Sequence, residues 1–435
     1  MSDNTTKFTP NRGLLVSASA GTGKTTVMIE RVVALIEQGA DVDDFVIVTF
    51  TNLAAAEMKT RLSARMSAFD NPRMAIQREK LDTATICTLH SFCGSLLKNY
   101  FYVVDVDPSF VVLDSASTDA LKKAAADELF DEYFQSDDQD FYTLYRIFAA
   151  NRNEDRFRSL ISELYEFGRN QPDFETWYAE KRNNLLNVDD PSNPFVKILL
   201  NSGREKFAFF AKRLQAIATE TQNDLVPFAD VIRVNAELCK SVDCSSLESL
   251  LYGAATLPSK LLSLPRANKN DSPEATTARA LHKEAVTDVA EYSEKCQKLL
   301  HGKDYAALVS ETKQTVAITD KLAEIVIRFE QKYYTAKKER GGIDFGDLEH
   351  LTLALLDDEQ ALAEIKARYK LIFVDEYQDT NPVQEAIISK IAQPDNLFMV
   401  GDVKQSIYGF RGCEPNIFVQ KYLDYKHSGS GEAIE

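Results

Sequence analysis

Residues 14–38 read LLVSASAGTGKTTVMIERVVALIEQ: a short apolar run, a glycine-rich turn, then apolar residues at helical spacing. Within this stretch, ASAGTGKT at 18–25 fits the phosphate-loop pattern GxxxxGK[ST], with alanine in place of the first glycine. Small residues let backbone N–H groups wrap a phosphate, and the amino end of the next helix adds positive charge. The loop follows a predicted strand and opens a predicted helix, so the context favours phosphate binding over a chance turn.

Strand patterns recur on both sides of a long middle segment. Apolar runs rich in β-branched residues predict further strands at 45–50, 83–88, 371–374 and 397–400. Residues 52–66 have helical spacing. Between about 114 and 333 such runs are scarce, and long amphipathic, acidic stretches dominate. The sequence therefore predicts an α/β fold, a P-loop parallel sheet split by a large, mostly helical insertion.

Two carboxylates, Asp375 and Glu376, end the predicted strand at 371–374. Strands often end in solvated acids, so this pair is informative only together with the phosphate loop. Beside such a loop, the first carboxylate would hold Mg²⁺ and the second would polarise an attacking water. Lys24 would then contact the outer phosphates, and the Thr25 hydroxyl would take a Mg²⁺ position.

Composition excludes several classes of protein. The chain has 435 residues, of which 44% are hydrophobic, so a packed core is expected and disorder is excluded for most of it. A net charge of -16 excludes nucleic-acid binding by bulk charge and requires a local groove instead. The six cysteines include no CxxC pair, which fits a reducing, cytoplasmic location. Neither an apolar signal segment nor an 18-residue apolar run is present, so no membrane partner is expected.

Five segments carry a family pattern in a fixed order. They are AGTGKT at 20–25, TFTNLAAAEM at 49–58, TLHSFC at 88–93, VDEYQDT at 374–380 and GDVKQSIYGFRG at 401–412. Together they resemble the motifs of UvrD-like superfamily 1 DNA helicases. The last segment and IDFGDLEH at 343–350 look most similar to the AddA (RexA) group of helicase-nuclease subunits, in their N-terminal part.

The resemblance implies a domain organisation and an activity. Residues 1–112 and 333–425 would be the halves of a RecA-like ATP-binding motor domain, 113–332 a helical insertion, and 426–435 a linker before a second motor domain. The activity implied is ATP-driven 3′ to 5′ translocation on single-stranded DNA, with Mg²⁺, during double-strand break repair. DNA ends and an AddB (RexB)-type subunit would be the partners. Residues 9–12, TPNR, lack the glutamine that reads adenine in the family.

The resemblance also assigns roles to individual residues. Those that would bind the nucleotide are Ala18, Ser19, Ala20, Gly21, Thr22, Gly23, Lys24, Thr25 and Thr26. Thr25 and Asp375 would hold Mg²⁺, Glu376 would be the catalytic base, and Gln405 would sense the γ-phosphate. Those that would contact DNA are Phe50, Asn52, His90, Tyr408, Phe410 and Arg411. Aromatic faces stack on any base and need no basic surface, which reconciles DNA binding with the acidic chain.

Alternatives remain open for residues and for function. Tyr408 and Phe410 have core packing as their other interpretation, and His90 a structural hydrogen bond. The chain is interpreted as truncated before a second motor domain whose arginines would complete the ATP site. Residues 1–435 alone are then expected to bind ATP weakly, hydrolyse it slowly and unwind nothing, and a parent protein would also be an exonuclease. The alternatives are a UvrD-like translocase without a nuclease and a non-catalytic nucleotide-binding interaction subunit.

Overall fold

The computed structural model describes residues 13–17, 23–149, 153–221, 225–268, 271–407, 409, 412–428 and 431–434. The chain divides into two units, one holding the described residues up to Phe174 and from Glu324, the other Glu175–Ala323. The described strands are β1 (Gly13–Ser17), β2 (Phe45–Thr49), β3 (Thr85–Thr88), β4 (Val111–Val112), β5 (Gly342–Ile343), β6 (Leu371–Val374), β7 (Leu397–Gly401) and β8 (Gly431–Ile434).

Helices make up most of the rest of the described chain. They are α1 (Lys24–Glu37), α2 (Asn52–Met66), α3 (Pro72–Glu79), α4 (Leu89–Asn99), α5 (Ser115–Gln135), α6 (Gln139–Phe148), α7 (Glu154–Arg169), α8 (Phe174–Leu186), α9 (Pro194–Thr221), α10 (Val226–Lys240), α11 (Leu247–Lys260), α12 (Pro273–Leu299), α13 (Tyr305–Glu339), α14 (Phe345–Leu355), α15 (Glu359–Arg368), α16 (Pro382–Ile391) and α17 (Pro415–Ser428).

A parallel six-stranded sheet organises the first unit, in the order β3-β2-β6-β7-β1-β8. Strands from before and after the long helical segment are neighbours in it: Val48 pairs with Val374, and Val16 pairs with Val400. The predicted α/β fold with a split parallel sheet is therefore confirmed. Because all strands run the same way, their carboxyl ends meet at one edge, where ligands bind in open α/β sheets.

Both faces of this sheet are covered, as its apolar strands require. Alternate side chains of β2 point to opposite faces. Phe45 and Ile47 pack in one buried cluster with residues of α1 and α2, such as Val32. Val46 and Val48 pack in a second cluster with residues of α4, α14 and α16. The two clusters hold the strand ends in place, and so position the side chains that follow them.

Local backbone contacts set the exact limits of two elements. The helix after the phosphate loop begins at Lys24, because Gly23 supplies the left-handed turn that opens it. The strand predicted from Thr83 begins at Thr85, because Thr83 closes a 3₁₀ turn over Lys80–Asp82, and its hydroxyl donates to the Lys80 carbonyl.

The end of the chain shows the largest difference. We predicted a linker at 426–435, but the described residues there continue α17 to Ser428 and then form β8, which pairs in parallel with β1. The linker prediction is wrong for these residues. A Cβ on Gly13 or Gly431 would approach the Tyr425 ring or hydroxyl to 2.5 Å. These glycines therefore serve close packing rather than flexibility.

The second unit is a helical assembly with its own core, which agrees with the predicted helical insertion. Its buried side chains come mainly from α9, α10, α11 and α12, for example Leu214, Ile232, Leu250 and Val289. The exact domain limits at 113–332 stay a prediction. In the described part of the chain, no helix is both long enough and apolar enough to cross a membrane.

Candidate functional site

The amino end of α1 faces the carboxyl edge of the sheet. Gly23, its N-cap residue, has φ 85°, a conformation that glycine adopts without strain. Neither a side-chain cap nor an acidic residue occupies the first turn of this helix as the structure describes it. The N–H groups of a first turn have no partner within the helix, and they suit an anion. The predicted phosphate-wrapping residues Ala18, Ser19, Ala20, Gly21 and Thr22 lie outside the described residues.

Lys24 contacts side chains that follow two neighbouring strands, β6 and β7. Its Nζ lies 3.2 Å from Glu376 Oε2, just beyond β6, and 3.4 Å from Gln405 Oε1, beyond β7. The side chain is 9% exposed, so these contacts are largely shielded from solvent. Thr25 is half-buried beside it, and Thr26 is exposed. The structure thus brings together the predicted phosphate lysine, base and γ-phosphate sensor.

Asp375 is electrostatically suited to a cation. Burial and the neighbouring Glu376 carboxylate raise the pKa of Asp375 to about 6, against the opposing influence of the Glu376 N–H and Lys24. A divalent cation would relieve this cost of ionisation. The described residues contain no group of three or more His, Cys, Asp or Glu side chains able to hold a metal. Mg²⁺ beside nucleotide phosphates needs only one or two carboxylates, so Asp375 with the Thr25 hydroxyl fits it.

Glu376 is held in an unusual conformation by its neighbours. Its backbone is left-handed, with φ 50° and ψ 43°, and its Oε2 accepts from Gln378 Nε2 at 2.9 Å. Gln378 is 2% exposed, and its Oε1 accepts the Asp402 N–H at 2.8 Å. Asp402 in turn accepts from Gln405 Nε2 at 2.5 Å, and this bond holds the Asp402 pKa below its usual range. The predicted base and the predicted sensor are therefore oriented by one connected network.

Sequence reasoning did not select Gln378 or Asp402 as site residues, although both stand in the quoted motifs. What marks both as site residues is that each is a polar residue in buried surroundings just after a strand. That setting is visible only once β6 and β7 are adjacent. A Cβ at Gly401 would collide with Gln378 Oε1, so the glycine there makes room for this side chain.

A groove of about 1120 Å³ lies in the first unit, beyond β2 and β3. Its lining includes Phe50, Asn52 and His90, three of the six residues predicted to contact DNA. It also includes Lys98 and Phe110, whose ammonium and ring centroid are 5.4 Å apart. Aromatic faces and a cation in one open groove suit a single-stranded nucleic acid.

The remaining predicted DNA contacts, Tyr408, Phe410 and Arg411, lie outside the described residues. The structural contact considered for His90 is present, and its contact with DNA stays a prediction. His90 lines the groove, and its Nε2 is also 3.0 Å from the buried Glu349 carboxylate. Its ring centroid is 4.9 Å from that of Phe345, a further lining residue.

Comparison with known proteins identifies the family. The family described as UvrD/REP helicase N-terminal domain matches residues 2–426. The chain is 32% identical over 445 residues to the A-type subunit of an ATP-dependent helicase/nuclease from Pediococcus pentosaceus, covering 95% of this chain and 35% of that protein. Proteins of the same name from Clostridium beijerinckii and Geobacillus thermodenitrificans are each 33% identical, over 97% and 98% of this chain and 36% of their own length.

The chain thus spans about a third of the length of these curated relatives. The family match covers both the strands that carry the site and the helical segment between them. Sequence motifs, split parallel sheet and family match agree: the chain belongs to the UvrD/REP helicase family.

Proposed function

We propose that this chain is the ATP-binding motor part of a 3′ to 5′ DNA helicase that moves along single-stranded DNA. The observation that carries the proposal is the position of Lys24 Nζ, between Glu376 and Gln405 at the amino end of α1. A lysine, a helix terminus and two carboxylates at one sheet edge suit a Mg²⁺-bound nucleoside triphosphate.

Each residue has a part in hydrolysis under this proposal. Lys24 binds the outer phosphates, and Asp375 and Thr25 hold Mg²⁺, which neutralises charge on the phosphate oxygens. Glu376 accepts the proton of the attacking water, while Gln378 keeps its carboxylate oriented. Gln405, tied to Lys24 and Asp402, contacts the terminal phosphate. Binding of phosphate by Lys24 then replaces its contact with Glu376.

Lys24→Ala tests the nucleotide site directly. Loss of a charge-assisted contact is expected to weaken Mg·ATP binding roughly tenfold or more, measured by titration calorimetry. Lys370→Ala is the matched control, because that lysine is 63% exposed and precedes β6 at its other end. Equal ATP affinity for wild type and Lys24→Ala would refute the site.

Tyr408→Ala tests DNA binding by stacking. We expect single-stranded DNA affinity to fall by ~1–3 kcal/mol, with little sequence preference and a modest salt dependence. Fluorescence anisotropy with a labelled oligothymidylate measures this. Tyr102→Ala is the control, since Tyr102 is 66% exposed and does not line the groove. A preference for duplex DNA that is unchanged in Tyr408→Ala would contradict the proposal.

The wider role is also a proposal. The relatives are named as A-type helicase/nuclease subunits, which supports a role in double-strand break repair beside a nuclease and a B-type (AddB) partner. A cytoplasmic setting agrees with the six cysteines, all of them within the described residues, because none forms a disulfide. We expect residues 1–435 alone to hydrolyse ATP slowly, because the relatives they match are about three times longer.

Two alternatives are weaker. A UvrD-like translocase without a nuclease would use the same site, but the relatives are named as helicase/nuclease subunits, which favours the leading proposal. A non-catalytic interaction subunit would not need Lys24 in contact with Glu376 and Gln405, so these contacts argue against it.

A further inference from the structure

A buried carboxylate, Glu349 of α14, lies between the groove and the acidic end of β6. It is 5% exposed. Its Oε1 is 3.0 Å from His90 Nε2 and accepts from Gln384 Nε2 at 2.8 Å, and its Oε2 accepts from Asn381 Nδ2 at 3.3 Å. These three donors, from α4, α16 and the N-cap of α16, compensate for the burial of this charge.

The contacts of Glu349 define its charge state. Burial acts to raise its pKa, but the bonds from His90, Gln384 and Asn381 hold that pKa below the usual value. An ionised carboxylate only accepts hydrogen bonds, so His90 Nε2 carries a proton and donates to it. The bond fixes the ring orientation of a residue that lines the groove.

The other side of Glu349 leads to the nucleotide site. Asn381 caps α16, its Oδ1 accepting the Gln384 N–H at 2.7 Å. Two residues earlier, the Asp379 carboxylate accepts from Gln378 Nε2 at 3.1 Å. Gln378 Nε2 also donates to Glu376. Residues 376–381 are thus fixed at one end by the catalytic network and at the other by Glu349.

A cavity of about 280 Å³ runs beside this connection. Its lining includes His90, Glu349, Asp375 and Glu376. Space next to a hydrogen-bonded link allows its members a second arrangement, which a close-packed core would forbid.

We propose that Glu349 is a positioning residue that couples the DNA groove to the nucleotide site, by holding His90 and the Asn381 cap to one carboxylate. The inference rests on the proposed function, since it assumes that both sites bind their ligands. A strand that displaces the His90 ring pulls on Glu349, and Glu349 passes the displacement to the segment that carries the base.

Linkage provides the test, because coupling must be reciprocal. The affinity of labelled oligothymidylate is measured with and without a saturating non-hydrolysable ATP analogue and Mg²⁺. We expect the wild-type protein to show a ratio of ~5–150 between the two affinities. Glu349→Gln keeps the shape of the side chain, but its amide N–H₂ group faces the donor of Asn381 or of His90. One of those two hydrogen bonds is therefore lost. Its ratio should fall to near one, while analogue affinity without DNA stays at the wild-type value.

Glu364→Gln, on the exposed face of α15, is the matched control and should keep the wild-type ratio. His90→Ala breaks the link from the solvent side and remains measurable even if Glu349→Gln fails to fold. Its ratio of DNA affinities with and without the analogue should also fall to near one, whatever its own affinity for DNA. The double variant should lose nothing more, because both changes cut one link.

The outcomes separate the two proposals. A wild-type ratio retained in a folded Glu349→Gln or in His90→Ala overturns the coupling role. Wild-type protein that binds both ligands without any coupling overturns it too, and leaves the proposed function intact. Wild-type protein that binds neither ligand refutes the proposed function itself.

Discussion

Replacing Glu376 with glutamine is expected to lower DNA-stimulated ATP hydrolysis by roughly 10²–10⁴-fold, the usual contribution of a general base. The amide has the same size, and its oxygen still accepts from Lys24 and Gln378 in the arrangement now held by Oε2. Nucleotide affinity should therefore change little while turnover is lost. Steady-state phosphate release by the complete protein, with saturating single-stranded DNA, measures the effect.

The control for this experiment is Glu359→Gln, an exposed residue in the first turn of α15. It should hydrolyse ATP at the wild-type rate. Turnover by Glu376→Gln within a few-fold of wild type would show that another group takes the proton from water. Asp375 would then be the residue to examine, because its carboxyl is the other acid at this strand end.

Lys337→Met should strongly destabilise the first unit. Lys337 is 1% exposed, and its Nζ lies 2.7 Å from Asp344 Oδ2, 2.5 Å from Asp347 Oδ2 and 4.2 Å from the Tyr333 ring centroid. Without it, the two buried carboxylates lose the cation that they share. Asp347 keeps its ion pair with Arg169, and both keep the backbone N–H bonds of the capping box. Breaking such a pair costs about 3–5 kcal/mol, measured by urea unfolding of the variant and the wild type.

Acid should relieve part of that loss. Burial and the neighbouring Asp344 raise the pKa of Asp347 even in the intact network. Without Lys337 the folded-state pKa rises further above the unfolded value, so the penalty is full at neutral pH and shrinks as pH falls through the folded-state pKa. Lys338→Met is the matched control, since that lysine is 65% exposed. A difference of less than about 1 kcal/mol between the variants would contradict the buried network.

Local signals explain which parts of the site could be predicted. The strand before the phosphate loop, the helix after it, and the acids after β6 each occupy a few consecutive residues. Apolar runs with turn residues at their ends predict such elements without any knowledge of neighbours. The fixed order of the five motifs then indicated that Lys24 and Glu376 belong to one site, although they are 352 residues apart.

Contacts between distant segments explain what could not be predicted. Glu349 appears in the sequence as one more acid on an amphipathic helix, and only the approach of α4 and α16 gives it three donors. Lys337 looks like a residue of a solvated helix end, and α14 buries it. The prediction for the residues of β8 was wrong for the opposite reason. The glycine of this strand indicates flexibility locally, whereas in the fold it admits the Tyr425 ring.

Because the backbone at Glu376 is left-handed, the residue that would be most stable at this position is not the one that the proposed catalysis needs. A residue with a side chain held there costs of order 1–3 kcal/mol, and glycine would avoid that cost. A screen that rewards heat resistance alone would therefore enrich glycine at position 376 and discard the proposed base. Thermostable libraries of this motor need a simultaneous demand for turnover, because survival of the fold and survival of the reaction favour different residues at this position.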